Sequence, residues 1–481
     1  MKKIFCFSIV LITIAITLFA QPGSVDIYFN PGSGINNPVT GVFELDCILI
    51  QSDGKIIIGG FFSTFNGAPA RCIARLNSNG SLDNTFMQGT GANNAIACAS
   101  MQSDGKIIIG GLFTNFNGSN RYRIARLNVN GTLDSTFNPG STNSFGNNDV
   151  VRHTSIQSDG KVIVCGRFTD YSGYPSINFC RLNSDGSFDH TFQNGTVVNS
   201  GINFSSIQSD GKIIIGGSVT NYNGTPINRL ARLFADGSLD TTFNVATEIN
   251  MTYSVNCSLI QNDGKIIIGG DFSYTNGITA QHIARLNTDG SLDTTFNPGT
   301  GADNVITKIS TQSDGKILIS GYFTSYNGIA RKSIARLNAD GSIDTTFSPG
   351  TGTGTAQNTW VYCTAIQSDG KIIVGGNFNS FNGTARNGVA RLQNDITLDL
   401  KSEDNNINLF PNPTQGMFTM QFGEIIDATV NIYNCTGQLI SKQKNMSENS
   451  LEINLSDQPN GLYIVEVIQK SNSKRFKISK Q

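Results

Sequence analysis

Along residues 23–395 the hydrophobic and polar positions fall into one pattern that returns seven times. An apolar run leads into Gln-Ser-Asp-Gly-Lys, once Gln-Asn-Asp-Gly-Lys, and a second apolar run follows, ending near a Gly-Gly doublet. A third run of the type Ile-Ala-Arg-Leu then precedes a further turn and the segment Ser-Leu-Asp-x-Thr-Phe. The sixth copy predicts four strands: Val305–Thr311, Lys316–Phe323, Ser333–Asn338 and Ser342–Phe347. Asp314-Gly315 and Asp340-Gly341 close the first and last pairs, because Gly takes φ > 0 without steric cost. A loop around Tyr326-Asn327-Gly328 joins the inner pair. Four antiparallel strands in about 50 residues make one blade of a β-propeller.

The turn Asp stands at 53, 104, 159, 210, 263, 314 and 369, so the repeats are 51 to 55 residues long. From that Asp to the Arg of the third strand the interval is always 22 residues, as in Asp53 to Arg75 and Asp369 to Arg391. All variation in length therefore sits between the Arg and the next Asp-Gly turn. The seventh copy ends at Val389-Ala390-Arg391-Leu392 without its fourth strand. An orphan copy of that strand, Gly23-Ser24-Val25-Asp26-Ile27-Tyr28-Phe29, stands at the other end of the array. An N-terminal strand that completes the last blade closes a ring and removes exposed edges. The fold expected is all-β, a seven-bladed β-propeller followed by a small immunoglobulin-like β-sandwich.

The recurring I-Q-S-D-G-K-I-I-I-G-G-x-F and I-A-R-L-N-x-D-G-S-L-D-T-T-F resemble the delta-60 repeat, a propeller-like repeat of secreted bacterial proteins. The resemblance implies a propeller and no settled activity. Departures occur at Cys165, Arg167 and Ser320 around the doublet, and at Phe234 after the Arg-Leu pair.

The two ends read as addresses. Lys2 and Lys3 precede an apolar stretch, Ile4 to Phe19, and Ala20 suits cleavage, so residues 1–20 read as a signal peptide. Residues 21–395 form the propeller, 396–404 a polar linker, and 405–481 a second domain. That domain shows seven short candidate strands: 407–410, 417–422, 429–433, 438–443, 451–455, 461–468 and 475–479. Its residues Pro411, Asn412, Pro413 and Gly416, with Gly437, Gly461, Tyr463 and Lys477, resemble the type A C-terminal sorting domain of the type IX secretion system. That likeness implies two partners, the type IX translocon and its sorting peptidase. It also implies attachment to surface lipopolysaccharide or release.

Composition narrows the function. Lys and Arg number 34 and Asp and Glu 35, so no basic excess points to nucleic acid. Three His leave little for metal sites, and no nucleophile elbow, HExxH or phosphate loop occurs. No cofactor, no metal ligand and no catalytic residue is assigned. The Asp and Arg that recur in every blade read as structural, since each blade must satisfy the same turns. His153, His190 and His282 read as solvated side chains. Cys47, Cys98, Cys257 and Cys363 share one repeat position, six residues before the turn Asp, and read as buried thiols. One or two disulfides are the alternative. Binding diversity belongs to the face with the long, variable connections, where Phe145, Trp360 and Tyr362 are the candidate ligand-binding residues. Trp360 could equally fill a blade interface. A binding propeller for a glycan or protein is the leading reading. A carbohydrate-active hydrolase or lyase and a purely structural surface protein are the alternatives.

Overall fold

The computed structural model describes residues 21–140, 149–171, 173–193, 200–245, 249–274, 281–354, 358–394, 407–434, 438–469 and 472–480. The signal peptide with Ala20, the linker, Phe145 and Gly437 lie outside them. The described residues contain no helix and divide into two compact units, drawn from Ala20–Asp395 and Ile396–Gln481.

In the first unit seven three-stranded antiparallel sheets form the blades, with smaller outer hairpins beside them. In the first blade the three strands are Glu44–Ile50, Ile56–Phe61 and Ile73–Leu76, and in the last Val361–Ile366, Ile372–Gly376 and Val389–Leu392. Each inner strand touches the inner strand of the next blade, and that of the seventh touches that of the first. The ring is closed. Middle strands such as Ile56–Phe61 are buried on both faces, which explains their unbroken apolar runs. The core lies between blades: Cys47, Ile57 and Ile73 of the first pack with Ile96, Ile107 and Phe113 of the second.

The expected fourth strand is smaller than its sequence suggests. It makes one bridge per blade, Leu76↔Leu82 in the first and Leu337↔Ile343 in the sixth, and then turns away. The loop at Tyr326-Asn327-Gly328 is itself a hairpin, Ser325–Tyr326 against Ile329–Ala330. In the seventh blade the bridge is Val25↔Leu392. Asp26 N–H donates to Arg391 O at 2.7 Å and Gln393 N–H to Ser24 O at 2.8 Å. The same pair in the first blade, Asp83 to Arg75 and Asn77 to Ser81, measures 2.8 Å in each case. The orphan strand occupies the vacant place.

The second unit has five strands where seven were expected. Met417–Asn434 joins two of the expected segments and Leu439–Asn454 joins two more. All five strands belong to one antiparallel sheet. The first half of Met417–Asn434 pairs with Ile407–Phe410 and its second half with Gly461–Gln469, which in turn pairs with Asn472–Lys480. Phe418 and Met420 from the first half share one apolar cluster with Val430 and Ile432 of the second half and with Val465 and Ile478.

Candidate functional site

Every inner strand carries one extra residue against its middle strand at the same place. The register slips between Leu45 and Cys47, and likewise at Ile96/Cys98, Val151/His153, Ile202/Phe204, Val255/Cys257, Ile306/Lys308 and Val361/Cys363. A bulge bends its strand and re-aims the side chains beside it. The extra residues are Asp46, Ala97, Arg152, Asn203, Asn256, Thr307 and Tyr362. With the residues after them they line a cavity of about 200 Å³ to which all seven inner strands contribute.

The Gly-Gly doublet exists because of this bulge. A Cβ at Gly60 would stand 2.1 Å from the Glu44 carbonyl oxygen, and one at Gly376 would stand 1.9 Å from that of Trp360. The first glycine makes room for the side chain across from it: a Cβ at Gly59 would lie 2.6 Å from Cys47 Sγ. Only the third and sixth blades replace it, with Cys165 and Ser320, and these stand opposite His153 and Lys308. There a long polar side chain takes the place facing the axis.

Two walls of the cavity carry unlike charge. On the first blade Asp46 lies two residues after Glu44, and neither carboxylate has a hydrogen bond or ion pair among the described residues. Burial, reinforced by repulsion from Glu44, raises the Asp46 pKa to about 7. On the third blade Arg152 donates to Asn203 Oδ1 at 2.6 Å, and burial together with the nearby Arg167 lowers its pKa. Burial, with the charge of Lys308 added, depresses the neighbouring His153 to about 3, so its imidazole is neutral. Lys308 likewise has no partner among the described residues. Around it burial pushes the Cys98 and Cys257 thiols up to about 12, and all seven described cysteines are free and buried.

An aromatic group sits beside the acidic wall. The Tyr322 ring lies 5.7 Å from Trp360 and 6.0 Å from Tyr362, edge to face, and Lys332 Nζ is 5.8 Å from the Trp360 ring centre. Two of the three residues singled out from sequence thus meet at one place, and Tyr322, which follows Ser320-Gly321, joins them. Tyr362 belongs to the inner strand, not to a loop. His153 also lies within its strand, Val150–Ile156, instead of ahead of it, and it lines the cavity and is not a solvated surface group. The signal that could have found this site is the column of residues six places before each turn Asp: Cys47, Cys98, His153, Phe204, Cys257, Lys308 and Cys363.

The recurring Asp and Arg take no part in it. Arg75 Nε and Lys55 Nζ hold Asp83 Oδ2 at 2.7 and 2.9 Å, and Arg75 Nη1 reaches Val129 O of the next blade at 2.7 Å. Burial would raise the Asp83 pKa. Hydrogen bonds from Thr85, Lys55 and Arg75 outweigh it and hold the carboxyl well below the usual range. Arg391 stacks on Phe29 at 4.9 Å and pairs with Asp26 at 2.9 Å, so the same brace spans the seam. Among the described residues no three His, Cys, Asp or Glu are placed to hold a metal ion.

In the second unit, the turn at Pro411, Asn412 and Pro413 is exposed and tied to the last strand. Ser479 N–H donates to Asn412 Oδ1 at 3.0 Å, and Thr414 N–H to Ser479 O at 2.8 Å. Gly416 O accepts from Leu455 N–H at 2.6 Å, and Tyr463 Oη donates to Pro459 O at 2.6 Å. Gly461 opens the strand Gly461–Gln469, and Lys477 pairs across from Ile464 in the last one.

Fold and site define a seven-bladed propeller whose blade-specific residues meet on its axis. Residues 51–86, 102–137, 157–192, 208–243, 261–296, 312–347 and 367–400 match the family described as "Domain of unknown function (DUF5122) beta-propeller". These segments make up just over half of the chain, and the chain belongs to this family. Residues 408–481 match the secretion system C-terminal sorting domain, so this is a secreted or cell-surface protein. No relative was found among curated proteins. Among solved structures the chain is similar to the extracellular domain of a candidate one component system from B. thetaiotaomicron. That likeness is 13% identical, covers 96% of this chain and 58% of that one, and has a TM-score of 0.42. A fungal alcohol oxidase of the AA5 family, in complex with copper, is 14% identical over 93% of this chain and 98% of that one, TM-score 0.42. A DUF3244 family protein from Bacteroides vulgatus with an immunoglobulin-like β-sandwich fold is 16% identical over 16% of this chain and 84% of that one, TM-score 0.15.

Proposed function

We propose that this protein is a surface or secreted binding module that takes part of a glycan or protein ligand into the axial cavity from the variable face. One observation carries this reading: the bulge recurs in all seven inner strands, yet the extra residue it inserts is of six kinds in seven blades, Asp46, Ala97, Arg152, Asn203, Asn256, Thr307 and Tyr362. Scaffold is repeated and chemistry is not. A cavity of about 200 Å³ is smaller than the usual site for a drug-sized ligand, so it suits one sugar ring or a short peptide end. The hydrolase reading draws on Glu44 standing two residues before the cavity-lining Asp46. Both belong to one strand, whereas glycoside hydrolysis needs carboxylates flanking the bond, and the binding reading is preferred. Export through the type IX translocon would bring the sorting peptidase to the second unit, followed by lipopolysaccharide attachment or release.

The test is a glycan array and a secretome pull-down with the full secreted protein and its Trp360→Ala and Tyr362→Ala variants. A ligand held by the wild type and weakened about tenfold or more by either change supports the reading. Capture that both variants leave untouched places binding elsewhere.

A further inference from the structure

Two residues that line the axial cavity each stand near a like charge outside its lining, Asp46 near Glu44 and Arg152 near Arg167. Pairs of this kind cost stability in the empty protein and are relieved by a bound group of opposite sign. Asp46 and Lys308 strengthen the point. Each lines the cavity with no hydrogen-bond or ion-pair partner among the described residues, and they do not pair with each other. Lys308 lines the cavity together with His153 and the thiols of the first, second, fifth and seventh blades. The acidic wall is flanked by Tyr362, Tyr322 and Trp360, and aromatic faces beside a carboxylate are the ordinary surroundings of a bound ammonium. A neutral sugar would hydrogen-bond to these groups but would neutralise none of them.

Building on the axial-binding reading, we infer that the ligand is a small zwitterion of dipeptide size. Its ammonium sits at Asp46 against Tyr362, with Glu44 adding negative charge nearby, and its carboxylate at Lys308 and Arg152. The neutral His153 and the protonated thiols add no charge that would repel either end.

Isothermal titration of the full-length secreted protein tests this, with glycylglycine, N-acetylglycylglycine and glycylglycine amide as probes and N-acetylglucosamine as the uncharged one. Glycylglycine should bind, and blocking either end should weaken it at least tenfold. Asp46→Asn should make the protein indifferent to acetylation, and Lys308→Met indifferent to amidation. The blocked peptides keep the inference falsifiable on the wild type if a variant fails to fold. Equal binding of parent and both blocked peptides would overturn it, and so would absence of all peptide binding. If N-acetylglucosamine binds, the peptides do not, and Tyr362→Ala abolishes the sugar's binding, the zwitterion is wrong and the axial site stands. If no probe binds and the array and pull-down also capture nothing sensitive to Trp360→Ala or Tyr362→Ala, both readings fall.

Discussion

At the scale of single residues, Asp46 behaves in the opposite way to the aspartates of the braces. Its pKa is raised, so folding favours its protonated form. The unfolded chain ionises freely above about pH 4, and the folded protein loses ground from there up to about pH 7. Asp46→Asn should therefore stabilise the propeller by roughly 1–2 kcal/mol at pH 8, the full linkage value being discounted for cavity water, and by nothing at pH 4. Urea midpoints of the two proteins at both pH values check this. Asp46 itself was not legible in the sequence. Strand periodicity assigns every second residue to one face, and a bulge turns two consecutive ones inward. The four cysteines of the next column were visible and were read as buried. His153, Phe204 and Lys308 in that same column carried no shared chemistry to draw attention.

Among the elements, the link between bulge and glycine doublet is the most direct. The repeated Gly-Gly was plain in the sequence, but its reason lies across the strand pair, in a carbonyl that no local pattern reveals. Gly376→Ala would drive a Cβ to 1.9 Å from the Trp360 oxygen and must displace the backbone that carries Trp360. A loss of about 1–3 kcal/mol is expected, read as a lower urea midpoint, with a shift in Trp360 fluorescence. Gly383→Ala is the control for space alone, since nothing lies within 4 Å of its Cβ position, although its φ of +74° carries the usual backbone strain. The strand count of the second unit failed for a related reason. Polar stretches near residues 424–427 and 445–450 look like turns, whereas the chain runs on through them as continuous strands.

For the whole molecule, the seam and the seven braces set stability. Asp26, Asp83, Asp134, Asp189, Asp240, Asp293 and Asp344 all have pKa values held below the ordinary one. Their contribution is complete above about pH 4 and is lost as acid protonates them in the folded state. The urea midpoint should fall steeply below pH 4, and in an Asp46→Asn background it should already decline gently below about pH 6.5, where the unfolded chain protonates His153 and the folded one does not. Asp26→Ala leaves Arg391 and Lys371 without their carboxylate and should cost about 3–5 kcal/mol, close to the cost of Asp83→Ala. Deleting residues 21–31 should cost more, because the last blade then also loses its outer bridge. A thermal midpoint unchanged by that deletion would contradict the closed seam. The seam itself could be read from the sequence, because an orphan half-repeat at one end matched a missing half at the other.

The bond between Arg391 and Asp26 joins residues 365 positions apart. All other braces of this kind close within a single repeat. The order of assembly follows from that difference. Blades can form one after another as the chain emerges, each from its own residues. The ring itself cannot be fastened until its last repeat is present, and the segment that fastens it has by then waited since the beginning. A chain cut short anywhere before Leu392 has every means of making blades and none of locking them, so completeness of synthesis is recorded in whether the circle holds.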